Sequence, residues 1–222
     1  MSTTKEKRRP TFIGITGGTA SGKTTICKTV VDKLNLDKKS LTILDADLFY
    51  KEPSPENIEL AKKGQFNMDH PDAYDFDLFF QTVKKLSEGE ESVEVPIYSY
   101  SEHKRIGTKN FNTADVIIIE GILLFHDPRV AKICKLKIFI HCDAEIRLAR
   151  RIKRDICERG RNVDGILNQY LKFTKPAFEQ FCLPTQKLVN FVGRGENYSN
   201  GNVVDLICKF TARAKSLDSF SE

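Results

Sequence analysis

The residues of this chain with the clearest chemical potential form one stretch, Gly17-Gly18-Thr19-Ala20-Ser21-Gly22-Lys23-Thr24, which matches G-x-x-x-x-G-K-[ST] at every fixed position and is followed by Thr25. Such a loop wraps a phosphate. Its glycines let backbone N–H groups approach the anion, its lysine reaches the β/γ-phosphates and its hydroxyl reaches Mg²⁺. The context fits: Thr11 to Thr16 is β-branched and aromatic, and after the loop Ile26, Val30 and Leu34 recur at helical spacing. Strand, glycine loop and helix in that order aim the positive end of a helix dipole at the phosphates. The stretch therefore predicts a nucleoside-triphosphate site.

Transfer of a phosphoryl group from such a site needs an acidic partner, a metal and cations around the moving group. Asp45 and Asp47 follow the apolar run Leu41 to Leu44, where a strand would deliver them to its carboxyl end, and their order along the chain does not separate their roles. Asp47 is the candidate base or Mg²⁺ organiser, with helix capping as its alternative. Glu120 closes the apolar run Val116 to Ile119 and is costly to bury unless it meets a metal, waters or a cation. In Arg147 to Arg154, the spacing i, i+4, i+7 puts Arg147, Arg151 and Arg154 on one helical face, and Arg159 and Arg161 flank Gly160. Such a run is either a solvated face or a lid that closes cations over phosphates. Without interleaved Phe or Tyr, it does not suggest nucleic acid.

The elements that must position these groups alternate. Leu41 to Asp45, Val116 to Ile119, Leu136 to Cys142 and Asn190 to Val192 read as buried strands. Ser54-Pro55 opens a helix that Gly64 stops, and Asp75 caps another with Phe76, Phe79, Phe80, Val83 and Leu86 on one face. Asp127-Pro128 starts a short helix, a long helical region runs to Phe181 with a kink or break at Pro176, and Val203, Val204, Ile207 and Phe210 stripe the last helix. Residues 92–112 alternate like an antiparallel hairpin. The expected fold is α/β: a parallel five-stranded sheet of the P-loop NTPase type with helices on both faces, an inserted β-hairpin and an arginine-rich lid helix at about 143–162. A single kinase-type domain is expected over 11–217, between a basic flexible tail at 1–10 and a short tail at 218–222.

With 222 residues, 40% of them hydrophobic, the chain can bury one sizeable core. Its formal charge of +5 suits an anionic ligand without implying nucleic acid. Met1 to Pro10 lacks the apolar region of a secretory signal, and no run approaches a membrane span, so no membrane association is expected. Six cysteines without a C-x-x-C pair suggest reduced core thiols and a cytoplasmic protein rather than a zinc site or disulfide framework. A GTPase switch would carry D-x-x-G and N-K-x-D, and neither is present.

The residues resemble the uridine kinases (uridine-cytidine kinases) of the phosphate-loop kinase group, over nearly the whole chain. The resemblance rests on the loop, on Asp47-Leu48-Phe49-Tyr50, on Met68 to Asp75, on Pro96 to Tyr100 with His103, on Glu120 to Leu123 and on Arg159-Gly160-Arg161. Gln169-Tyr170 and Lys175 to Thr185 complete it; the DHPDA and KPAFE-x-FCLPT stretches are its most specific parts. It implies ATP- or GTP-dependent, Mg²⁺-requiring phosphorylation of the 5′-hydroxyl of uridine and cytidine in pyrimidine salvage. By this resemblance, Asp47 is the catalytic carboxylate with Lys23, and Tyr50 stands beside the substrate. Asp69, Arg151 and Gln169 hold the ribose, Tyr98 and His103 read the pyrimidine edge, and Tyr100 and Ile122 pack the base. Thr24 and Glu120 are the Mg²⁺ partners, and Arg154, Arg159 and Arg161 are lid arginines meeting substrate or phosphates. The resemblance also implies a homotetramer inhibited by UTP or CTP.

Two positions depart from the pattern. Met68 stands where Phe is common, and the Arg-Gly-x-Asp near the adenine pocket appears as Arg194-Gly195-Glu196-Asn197, so Asn197 is the expected donor-base contact. The rival enzyme reading is a sister kinase acting on another small alcohol, such as ribulose phosphate or pantothenate. The rival from another class is a nucleotide-dependent switch.

Overall fold

Thr11–Thr16 (β1) buries every residue after its first. Its side chains divide: Phe12 enters one apolar cluster, and Ile13 and Ile15 enter another. A strand that removes both faces from water must be covered on both sides. The computed structural model, which describes residues 9–195 and 201–218, shows this cover. In chain order the strands after β1 are Leu41–Asp45 (β2), Ser92–Ser99 (β3), Lys104–Asn112 (β4), Val116–Gly121 (β5), Leu136–His141 (β6) and Phe191–Arg194 (β7). The helices are Lys23–Leu34 (α1), Pro55–Lys62 (α2), Phe76–Ser87 (α3), Pro128–Ile133 (α4), Ala144–Arg159 (α5), Val163–Gln169 (α6), Lys175–Ala177 (α7) and Gly201–Asp218 (α8).

Among the described residues the main sheet has five strands in the order β2-β5-β1-β6-β7, and every pairing in it is parallel. α1 and α8 cover one face through Ile26, Cys27, Val30, Val203, Val204 and Ile207. α3 covers the other through Phe79, Val83 and Leu86, with Val130 of α4 beside them. Caps start these helices as the sequence suggests. Ser54 Oγ accepts from the Asn57 N–H and Asp75 Oδ1 from the Leu78 N–H.

The register matters most for the site. Thr16 pairs with Gly121, and Glu120 is flanked by Ile15 on one side and Asp45 on the other, so these groups share the carboxyl edge of the sheet. Open parallel sheets bind ligands at that edge. The antiparallel hairpin β3–β4 stands outside the main sheet, and its register shifts between Ile97 and Tyr98. Arg105 ties it down, donating from Nε to the Tyr50 carbonyl at 2.9 Å and from a terminal nitrogen to Asp75 at 3.0 Å.

The region around Pro176 keeps helical turns from Val163 to Leu188 but changes type on both sides of the proline, with wide π-type turns at Tyr170–Thr174 and Phe178–Cys182. Proline lacks an N–H and crowds the carbonyl four residues before it. The wide turn ahead of Pro176, closed by the Lys175 N–H on the Tyr170 carbonyl, lets the run pass. Cys27, Cys134, Cys142 and Cys182 are buried, Cys157 is exposed, and all six cysteines are free thiols. No helix among the described residues is long and apolar enough to cross a membrane. Most of the two tails expected at 1–10 and 218–222 lies outside the described residues.

Phe79 is 1% exposed and packs against Phe49 with ring centroids 4.9 Å apart. Phe79→Ala is expected to lower the unfolding free energy by about 3–5 kcal/mol in urea titration, by creating a cavity under α3.

Candidate active site

The chain leaves β1 at Thr16 and re-enters a helix at Lys23, and the loop between them takes conformations most side chains resist. Gly17 has φ 149° and Gly22 has φ 101°. A Cβ on Gly17 would strike the Ile140 carbonyl oxygen. Gly22 caps α1 without any side-chain hydrogen bond, so the first-turn N–H groups are left to an anion. Lys23 is buried, and its Nζ donates to the Gly17 and Gly18 carbonyls at 3.0 and 3.1 Å. Thr24 Oγ1 donates to Glu120 Oε1 across the sheet edge. Above these groups lies a cavity of about 450 Å³, whose wall includes Thr19, Ala20, Gly22, Lys23, Thr24, Thr25 and Glu120. Ser21 is fully buried and is not part of that wall.

Both aspartates line the phosphate cavity, and they differ in what else they do. Asp45 caps the short turn Ala46–Phe49, accepting from the Asp47 N–H at 2.8 Å. Asp47 lines both the phosphate cavity and a second one beside it. Burial first, then the nearby Glu120 charge, holds the Asp47 carboxyl well above its ordinary value of 3.8, against the lowering pull of Lys23. Asp45 is raised too, by burial and then by Asp47. Gly121 makes room for this arrangement. A Cβ there would sit 2.7 Å from the Ala46 Cβ and 3.4 Å from Asp47 Oδ1.

The second cavity, about 440 Å³, gathers Asp47, Tyr50, Met68, Asp69, Tyr98, Tyr100, His103, Ile122, Arg151, Arg161 and Gln169 in its wall. Those residues come from β3–β4, the segments after β2 and β5, the loop after α2, and α5–α6. The rings form a chain: Tyr50 lies 5.4 Å from Tyr98, which lies 5.4 Å from Tyr100. His103 sits in the hairpin turn with φ 53°, a conformation the tight reversal imposes. Six residues, Thr19, Asp47, Tyr100, Ile122, Arg154 and Arg159, line both cavities, so the two meet there.

On the opposite wall, Arg151 donates to Gln169 Oε1 and to Thr174 Oγ1, both at 2.9 Å, and Thr174 donates to Asp69 at 2.8 Å. Arg161 reaches the same Gln169 oxygen at 2.7 Å. Arg147 and Arg151 are buried, which excludes the solvated-face reading for them. Arg147 lines neither of these cavities; its guanidinium stacks 4.0 Å from the Phe178 ring and occupies the space that a Cβ on Gly18 would need. Thr174, Asp155, Arg150, Glu158 and Gly121 escaped the sequence reading. Only Asp155 left a signal there, as an acid set four residues from both Arg151 and Arg159. Asn197 lies outside the described residues.

The donor set at Thr24 and Glu120, a hydroxyl and a carboxylate at the phosphate cavity, is hard oxygen and fits Mg²⁺. Among the described residues no group of three or more His, Cys, Asp or Glu could hold a metal by itself.

A phosphate loop on a parallel sheet, opening into a second cavity that holds a carboxylate, defines a P-loop kinase. The fold is shared with solved kinases of low sequence identity. A structure titled as a possible uridine kinase from Bacillus stearothermophilus matches with a TM-score of 0.60 at 14% identity, covering 85% of this chain and 91% of that one. D-glycerate 3-kinase from Cryptococcus neoformans matches with a TM-score of 0.57 at 16% identity, covering 88% and 90%. The chain belongs to the phosphoribulokinase / uridine kinase family, whose profile matches residues 12–192. It is 43% identical over 193 residues to uridine-cytidine kinase 2-B of Danio rerio, covering 83% of this chain and 73% of that protein. It is 44% identical over 202 residues to uridine kinase-like protein 4 of Arabidopsis thaliana, covering 90% of this chain but only 42% of that protein.

Gly121→Ala is expected to displace Asp47 and lower phosphoryl-transfer turnover by about 10- to 100-fold while sparing nucleotide affinity. Single-turnover kinetics beside a nucleotide titration would check it.

Proposed function

We propose that this chain transfers the γ-phosphoryl group of ATP or GTP to the 5′-hydroxyl of uridine and cytidine, forming UMP and CMP in pyrimidine salvage. The observation that carries the reading is the meeting of the two cavities at Asp47, with aromatic residues lining the acceptor side. Its support from kinship is the 43% identity to a uridine-cytidine kinase. A flat heteroaromatic acceptor suits the Tyr50, Tyr98 and Tyr100 rings better than a sugar phosphate does.

In this reading the donor phosphates lie against the loop from Gly17 to Thr25, with Lys23 neutralising their charge. Thr24 and Glu120 would hold Mg²⁺, which when bound offsets charge on the β- and γ-phosphates. Asp69, Arg151 and Gln169 orient the ribose through its hydroxyls, Tyr98 and His103 address the pyrimidine edge, and Tyr100, Ile122 and Met68 pack the base. Tyr98 Oη is buried without a hydrogen-bond partner among the described residues, which favours a polar partner on the ligand. Asp47 accepts the proton of the 5′-hydroxyl as that oxygen attacks the γ-phosphorus in line. Arg154 and Arg159 stabilise charge on the moving phosphoryl group, Arg161 meets the acceptor, and all three, with α5, form the lid. The working form is a cytoplasmic homotetramer inhibited by UTP or CTP.

The direct test is ADP formation with Mg·ATP and uridine, cytidine, adenosine, ribulose 5-phosphate or pantothenate, with product masses determined. Uridine and cytidine alone are expected to stimulate it and yield their 5′-monophosphates. Stimulation by another acceptor would transfer the site to a different alcohol.

Asp47→Asn is expected to cut turnover by about 10²-fold or more while nucleotide binding persists. Because only the ionised Asp47 accepts a proton and its carboxyl is held high, activity is expected to fall with decreasing pH well above 3.8. That acid limb should be visible in kcat/KM for uridine. His103→Ala is expected to raise the KM for uridine and cytidine while leaving the KM for ATP unchanged; an effect confined to ATP would remove the hairpin from the acceptor site.

A further inference from the structure

Asp155 on α5 is completely buried, with 0% exposure, and lies outside the walls of both cavities. Its carboxylate nevertheless meets four guanidinium groups among the described residues: Arg151, Arg154, Arg159 and Arg161. The partners divide between its oxygens. Arg154 and Arg159 approach Oδ1, at 2.8 and 3.4 Å, while Arg151 and Arg161 approach Oδ2, each at 3.5 Å. The division follows the site: Arg154 and Arg159 line both cavities, whereas Arg151 and Arg161 line only the acceptor cavity. The main chain adds to it, because the Asp155 carbonyl accepts the Gly160 and Arg161 N–H groups and so fixes the turn that ends α5.

Four like charges gathered around two cavities repel one another. Burial first, then neighbouring arginines, lowers the Arg159 and Arg161 guanidinium pKa values, and Asp155 opposes the shift in both. One carboxylate against four cations holds the cluster together and still leaves an excess of positive charge facing the site.

We infer that Asp155 is a positioning residue that holds Arg151 and Arg161 for the acceptor and Arg154 and Arg159 for the transferring phosphoryl group, leaving their excess charge to an anion. This assignment rests on the proposed kinase reaction. Asp155 touches no substrate; it acts through the arginines.

Asp155→Asn keeps the size and an acceptor oxygen but removes the charge. With folding checked by circular dichroism, the KM for uridine is expected to rise and kcat to fall, each by about tenfold or more. Inorganic phosphate, as a competitor of the donor, is expected to inhibit the variant more tightly, because the cluster gains net positive charge. The opposed signs are the signature, since loss of shape alone would weaken phosphate and uridine together. Uridine constants within twofold of the parent enzyme, or weaker phosphate inhibition, would overturn the assignment. If the single variant does not fold, Asp155→Glu, which restores the carboxylate that Arg151 and Arg161 need, is expected to fold and recover uridine binding, measured by calorimetry. Failure of that recovery would also overturn it. Absence of uridine phosphorylation by the parent enzyme would instead sink the kinase reading for this acceptor, leaving the phosphate-inhibition comparison, read on the donor alone, to decide the role of Asp155.

Discussion

The parallel pairing of β5 between β1 and β2 is the constraint on which the rest depends. It sets Glu120 beside Asp45 and Ile15, and Thr16 beside Gly121, in one row at the carboxyl edge. Thr16 reinforces that row, donating from Oγ1 to the Gly121 carbonyl at 3.0 Å. A slip by one residue would turn Glu120 to the opposite face and move it from Asp45 and Ile15, so the register fixes the chemistry. The phosphate loop, the capping Asp45 and the cavity-facing Asp47 all begin at strand ends placed by this register.

Having brought acids and cations to one edge, the fold must keep them compatible. Asp45, Asp47 and Glu120 crowd each other, and burial with mutual repulsion raises both aspartates. Lys23 is the near cation opposing them, held by two loop carbonyls. On the far wall the balance reverses, with arginines outnumbering the buried Asp155. Arg154 and Arg159 line both cavities with Asp47, so charge moving between ligands there meets ions already in position.

Much of this was legible along the chain. The loop announces itself because its glycines, lysine and threonine are contiguous, and the strands do because a twice-covered strand is apolar throughout. The arginine run was harder. Spacing puts Arg147, Arg151 and Arg154 on one face of α5, but it does not say whether that face looks inward or to solvent, and Arg147 and Arg151 prove to be buried. Thr174 is 105 residues from Asp69, and nothing local marks a threonine in a helical run as a link between an aspartate and an arginine. Nor does Gly121 advertise its role, which depends on how closely Ala46 and Asp47 pack over it. Separating Asp45 from Asp47 required the turn geometry, because spacing alone puts both at the same strand end.

The six residues common to both cavities have a further consequence. They make one trough with two ends, rather than two rooms joined by a door. A single molecule long enough to lie along it would seat its second half at a high effective concentration once the first half was bound, and so bind far more tightly than either half alone. Such a tethered ligand would also measure the distance between the ends, since a linker too short to span the shared boundary would lose the whole advantage.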